Sequence, residues 1–314
     1  MEKTDTIFAL STPIGRSALA IFRVSGTGAL KVIKDVSSVK KFENNKTKLN
    51  IIKDKKGKPI DQTLTTYFKK PRSFTGEDMV EISCHGSIAI IKKISKELSD
   101  KGLRIAEPGE FTRRALENDK LDLIKVEALS DLINSNTEKQ REFAFTNFQG
   151  QLTNHINILS NKITKMLADT EAIIDFVDDD LPKNIIQKIK EQNKNIIKHI
   201  EKMLVRSSLA DSIISGFVVS VIGKPNTGKS SFINYISGRD VSIVSPSPGT
   251  TRDLIESLVE INGYQVRLID TAGIRRHRNK IEEIGVKKAL NLSKESDLNI
   301  IFLSNNETKL YKHI

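Results

Sequence analysis

The sequence of 314 residues contains no tryptophan, one cysteine and only 5% aromatic residues. A lone Cys84 cannot form an internal disulfide, so the fold is expected to hold without cross-links, as suits a reducing, cytoplasmic setting. No apolar run approaches the roughly 20 residues that a helical membrane span requires, and a membrane partner is not expected. The short apolar piece near the N-terminus is interrupted by Asp5, Pro13 and Arg16, which argues against a secretory signal. Prolines are few, and between Phe111 and Ile214 only Pro182 occurs. What remains is ordinary for a folded chain: 38% hydrophobic and 28% charged residues, in a length sufficient for two or three domains.

The net charge is +11. Two readings stay open. A polyanionic partner such as RNA would be drawn by that charge through phosphate contacts. Alternatively, a compositional bias toward Lys, Ile and Asn raises lysine throughout, since the lysines are spread along the chain and form no single block.

Residues 1–118 read as a mixed domain of strands and helices. Strands are expected at 6–10, 19–24, 49–52, 63–68, 79–84 and 103–106, with helices at 29–36 and 88–98. Glu107-Pro108-Gly109 punctuates its end. Residues 119–214 carry helical spacing in Val126, Leu129, Leu132 and Ile133, then Ile156, Leu159, Ile163, Met166 and Leu167, then Ile185, Ile189, Ile196, Ile200 and Leu204. These stripes are expected to form the core of a helical bundle. Between them, Asp178-Asp179-Asp180 favours a solvated capping turn over a metal site.

Residues 215–314 carry the chemistry. Gly223 to Ser231 read GKPNTGKSS, after the apolar run 217–222 and before a helix. Strand, loop and helix in that order make a phosphate cradle. Gly223 and Gly228 allow consecutive N–H groups to turn toward an anion, and the helix starting near Lys229 presents its positive end. Lys229 reaches the outer phosphates and the Ser230 hydroxyl ligates Mg²⁺. A chance match in one loop is opposed by two further segments. Pro248-Gly249-Thr250-Thr251-Arg252 supplies a threonine able to complete the Mg²⁺ shell. Asp270-Thr271-Ala272-Gly273 follows the alternating strand 264–269 and offers an aspartate to the metal and a glycine N–H to the γ-phosphate. The combination describes a GTPase of the Ras-like superclass. The fold class expected overall is an α+β N-terminal domain, a helical domain and a partial P-loop α/β (Ras-like) domain.

Four more segments extend the pattern over the whole chain: DTIFALSTPIGRSALAIFRVSG (5–26), SFTGEDMVEISCHG (73–86), EPGEFTRRALENDKLDLIKVEALSDLI (107–133) and AIIDFVDDD (172–180). With them the sequence resembles the bacterial tRNA-modification GTPase family called MnmE or TrmE. The resemblance implies an N-terminal domain that forms homodimers and binds a 5-formyl-tetrahydrofolate-type one-carbon carrier through Arg23, Glu81 and Lys120. It implies a helical domain split around the GTPase domain. It also implies work with the flavoprotein MnmG (GidA) to add a carboxymethylaminomethyl-type group at the wobble uridine (U34) of tRNA. GTP contacts are implied at Asn226, Thr227, Gly228, Lys229, Ser230, Ser231, Ser245, Gly249, Thr250, Thr251, Asp270, Thr271, Ala272 and Gly273, with Ser230 and Thr251 on Mg²⁺.

Ile274 stands where Ras-like enzymes place a water-orienting glutamine. By resemblance that catalytic role falls to Glu282, and K⁺ replaces an arginine finger, held by Asn226, Ser245, Ser247 and Thr250. A monovalent cation there would neutralise charge developing between the phosphates.

The resemblance breaks at the end. The guanine-reading Asn-Lys-x-Asp and the family's terminal Cys-Ile-Gly-Lys are not in the sequence. A truncated member with weak, poorly base-selective nucleotide binding is therefore expected. Two other readings stand beside the tRNA-modifying enzyme. One is a non-catalytic remnant that keeps folate binding and dimerisation, and the other a ribosome-assembly GTPase of the Era or EngA type. The N-terminal segments argue against the last.

Overall fold

The computed structural model describes residues 5–175, 184–223, 227–239, 255–270 and 294–303. The chain divides into two compact units, Met1–Val126 and Glu127–Ile314.

The first unit is built on a six-stranded sheet in the order β3-β4-β5-β2-β1-β6. Strand β1 (Ile7–Leu10) pairs antiparallel with β2 (Ser17–Ser25), which pairs antiparallel with β5 (Met79–Gly86). Ala20, Phe22 and Val24 alternate into the core, so Ile21 and Arg23 lie on the opposite face. β3 (Thr47–Lys53) and β4 (Pro59–Phe68) form the far hairpin. Its turn is held by Asp54 Oδ1, which accepts from the N–H groups of Lys56 and Lys58, both at 2.9 Å. The short β6 (Arg104–Ile105) pairs parallel with β1.

Helix α1 (Ala29–Val36) buries Ala29, Val32, Ile33 and Val36. That spacing places one apolar stripe on the sheet. Helix α2 (Ile88–Asp100) adds Ile91, Ile94 and Leu98 to the same core. Burying each such side chain is worth about 1.5–3 kcal/mol. Helix α3 (Glu110–Glu117) follows, and α4 (Leu123–Asn134) runs across the boundary at Val126. The expected elements are all present, with β2 longer and β6 shorter than the sequence indicates.

In the second unit, α5 (Glu138–Phe148), α6 (Gln151–Asp175) and α7 (Ile185–Ser215) precede a four-stranded mixed sheet. The sheet comprises β7 (Phe217–Gly223), β8 (Ile255–Ile261), β9 (Tyr264–Asp270) and β10 (Leu298–Phe302), in the order β10-β7-β9-β8. Helix α8 (Lys229–Arg239) follows β7. Strand β8 is not evident from hydrophobic alternation. Its signal is the turn Asn262-Gly263, with φ of 50° and 84°, the Asn-Gly pair that two-residue hairpins favour.

Gln140 fastens α5 to this sheet. Its Nε2 donates to Ile214 O at 2.8 Å and to Gln265 Oε1 at 3.1 Å. Its Oε1 accepts from the N–H groups of Asn136 and Thr137, completing a capping box at the start of α5.

The helical stripes expected as core are a correction. Leu159 and Ile196 are buried, but Ile156, Ile163, Leu167, Ile200 and Leu204 are exposed. α6 and α7 pack on each other and on α5. Neighbouring helices cover one narrow seam of each, while these stripes are wider than a seam. The triple aspartate lies outside the described residues. Among the described residues no helix is long and apolar enough to cross a membrane.

A buried ionic network closes the first unit. The Arg114 guanidinium, 5% exposed, donates to Asp5 O at 2.9 Å, Asp5 Oδ1 at 2.7 Å, Glu77 Oε2 at 3.0 Å and Glu110 Oε1 at 3.0 Å. Arg104 grips the same Glu110 with both terminal nitrogens, at 2.6 and 3.0 Å. That grip, above all, holds the Glu110 carboxyl down at about 2. Because the folded value lies below the ordinary 4.5, the stabilisation is complete above that pH and is lost as pH falls toward 2. Glu110→Gln should destabilise the chain by about 3 kcal/mol at neutral pH. In urea melts the difference between variant and parent should shrink as pH drops from 5 to about 2.5.

Candidate functional site

The strand and the helix that flank the phosphate-binding segment are both in place. β7 is an inner strand, paired parallel with β10 and with β9, and it ends at Gly223. Gly223 has φ of 154° and sits against β10, so that a Cβ there would lie 2.6 Å from Phe302 O. Gly228, with φ of 94°, precedes α8, and Phe232 N donates to Gly228 O at 2.9 Å. The first-turn N–H groups of α8 and its positive end therefore open at the loop.

Lys229 is 3% exposed. Its Nζ donates to Gly223 O at 2.7 Å and to Thr227 Oγ1 at 3.4 Å, the residues that flank 224–226. Ser230 and Ser231 are exposed at the helix start. A hydroxyl at the first turn after the lysine suits a hard cation such as Mg²⁺. Asp270 ends β9 with its backbone beside Val221, placing the head of the Asp-Thr-Ala-Gly segment next to the loop. Thr271, Ala272, Gly273, Asn226, Ser245, Ser247, Gly249, Thr250, Thr251 and Glu282 lie outside the described residues.

The N-terminal candidates converge in the first unit. Arg23 and Glu81 are register partners on β2 and β5, and Arg23 Nε donates to Glu81 Oε1 at 2.8 Å. Lys120 follows α3, and its side chain lies over the loop between β4 and β5: a Cβ at Gly76 would be 3.3 Å from Lys120 Cε. The same loop carries Phe74, whose ring centroid is 5.4 Å from the Arg23 guanidinium carbon. Phe74 was not anticipated from the sequence. An aromatic two residues before a loop glycine is its only local mark. Two cations, a carboxylate and an aromatic face suit a flat ligand that bears carboxylates.

Comparison with known proteins bears on both sites. A family model described as "GTP-binding protein TrmE N-terminus" matches residues 6–120. A second, described as "50S ribosome-binding GTPase", matches residues 218–314. The tRNA modification GTPase MnmE of Pelagibacter ubique is 43% identical over 300 residues, covering 95% of this chain and 68% of that protein. The chain belongs to the MnmE family.

The MnmE of Anaplasma marginale is 40% identical over 307 residues, covering 98% of this chain and 69% of that protein. That of Fervidobacterium nodosum is 43% identical, covering 95% and 66%. The N-terminal match over residues 6–120 is separate from the GTPase match over residues 218–314. The expected fold class holds: an α+β N-terminal domain, helices, and a P-loop domain on a mixed sheet.

Gly223→Ala should lower the stability of the second unit by roughly 2 kcal/mol and weaken Mg-nucleotide binding, since an added methyl meets β10 backbone. Gly228→Ala, where nothing lies within 4 Å, should strain φ alone and cost less. Thermal melts and titration with a fluorescent GTP analogue report both; equal effects from the two variants would contradict the steric argument.

Proposed function

We propose that this protein is a GTP-hydrolysing enzyme acting in modification of the wobble uridine of tRNA. The observation that carries the reading is MnmE family membership along nearly the whole chain, joined to a phosphate loop with its lysine already seated. Lys229 would neutralise the outer phosphates and Ser230 would hold Mg²⁺, with Thr251 completing the shell. Glu282 would orient the attacking water. K⁺, held by Asn226, Ser245, Ser247 and Thr250, would offset charge developing at the phosphates.

The remaining parts of the reading are an N-terminal site for a 5-formyl-tetrahydrofolate-type carrier at Arg23, Glu81 and Lys120, a homodimer, and a flavoprotein partner of the MnmG kind. The carrier, when bound, would supply the one-carbon unit. The division into 1–118, 119–214 and 215–314, and a cytoplasmic location, belong to the same proposal.

GTP hydrolysis by the full chain should be faster in KCl than in NaCl. Glu282→Ala should slow turnover about 10²–10³-fold with little change in nucleotide affinity, as loss of one preorganised contact does. Lys229→Ala should weaken nucleotide binding itself. Equal rates in both salts would remove the cation from the mechanism. No turnover in either, with Mg²⁺ present, would overturn the enzymatic reading.

A further inference from the structure

Arg23 is fixed on two sides and open on a third. Its Nε is engaged by Glu81, and its guanidinium carbon lies 5.4 Å from the Phe74 ring centroid. Among the described residues the terminal Nη edge makes no hydrogen bond, and the Arg23 side chain keeps 35% of its surface exposed. A guanidinium presented this way is a rigid fork, and a fork matches a carboxylate through two parallel hydrogen bonds.

Phe74 has little freedom to drift from that position. Its neighbours Ser73 and Thr75 are both buried. Thr75 Oγ1 shares a 2.6 Å hydrogen bond with Ser25 Oγ, and Asn118 Nδ2 donates to Thr75 O at 2.7 Å. Ser73 Oγ donates to Glu77 O, and Glu77 in turn accepts from Arg114 at 3.0 Å. The loop that bears Phe74 is thus tied to β2, to the end of α3 and to the buried ionic network. Gly76, with φ of 79°, leaves room for Asn118 and Lys120 on the same loop. The Lys120 ammonium makes no ion pair among the described residues.

We propose that Phe74 is a positioning residue of the N-terminal ligand site: its ring holds the Arg23 guanidinium plane so that the Nη edge meets a carboxylate of the ligand, while Lys120 serves a second anionic group. This rests on the reading of that site as one for a reduced folate, whose glutamyl end carries two carboxylates. Glu81 is then occupied chiefly in orienting Arg23 Nε, and its second oxygen is what remains for donors on the ligand.

The test is isothermal titration of the full chain with 5-formyl-tetrahydrofolate and, separately, with p-aminobenzoylglutamate and with 5-formyl-6-methyl-tetrahydropterin, which carries no carboxylate. Phe74→Leu should raise the Kd for the two glutamyl ligands by about 3- to 30-fold, the range that a partly desolvated cation–π contact spans. Phe74→Tyr should restore it to within about 2-fold, because the ring face is kept. The pterin should bind more weakly to the parent chain and be insensitive to Phe74→Leu. Thermal midpoints are measured in parallel. If Phe74→Leu fails to fold, Arg23→Lys, which keeps the charge but not the fork, should show the same selective loss for glutamyl ligands. Unchanged Kd in a folded Phe74→Leu chain, or an equal loss for the pterin, overturns the proposal while leaving the folate reading intact. Binding of p-aminobenzoylglutamate without 5-formyl-tetrahydrofolate overturns the folate reading alone. No binding of either by the parent chain overturns both.

Discussion

A cation taken out of water must be given acceptors, and that requirement organises both units. Arg114 and Lys229 are almost fully buried, and an uncompensated buried charge costs several kcal/mol. Arg114 meets the demand with carboxylates from Asp5, Glu77 and Glu110. Because those acceptors come from three distant stretches, satisfying one guanidinium brings the chain start, the loop before β5 and helix α3 to one point. Lys229 donates to a carbonyl and a hydroxyl of its own loop. Each arrangement ties a buried cation to the segment around it.

The N-terminal site inherits its rigidity from that joint. Glu77 links Arg114 to Ser25, and Ser25 links to Thr75. Phe74 and Gly76 flank Thr75 and face Arg23 and Lys120. A site built from side chains on a strand, a loop and a helix end is only as defined as the contacts between those elements. Here they combine charge-assisted hydrogen bonds to Glu77, which are short and directional, with neutral ones at Thr75.

The second unit shows the opposite balance. Its sheet has a compact core around Val219, Val259, Val266 and Leu268, and Gln140 ties α5 to it through directed hydrogen bonds. The long helices carry more apolar surface than their mutual packing covers. A helix of this length can form from local hydrogen bonding and propensity once anchored at its ends, so helicity is no guarantee of burial.

Much of this protein was legible in its residues. Alternation marked β2 and β5, and 3.6-residue spacing marked α1 and α2, because both patterns record which side of a local element meets the core. The glycines and lysine of 223–231 located the phosphate loop for the same reason: strand, turn and helix are consecutive. What sequence could not decide was convergence over distance. Arg23 and Glu81 are 58 positions apart and meet through strand register. Phe74 joins them because a loop is pinned by Arg114. Of the helical stripes only Leu159 and Ile196 are fully buried, because periodicity records a capacity for burial, while burial itself needs a second surface. Local pattern therefore determined the elements and their order. Only tertiary packing, through register and the pairing of buried charge, decided which side chains face one another.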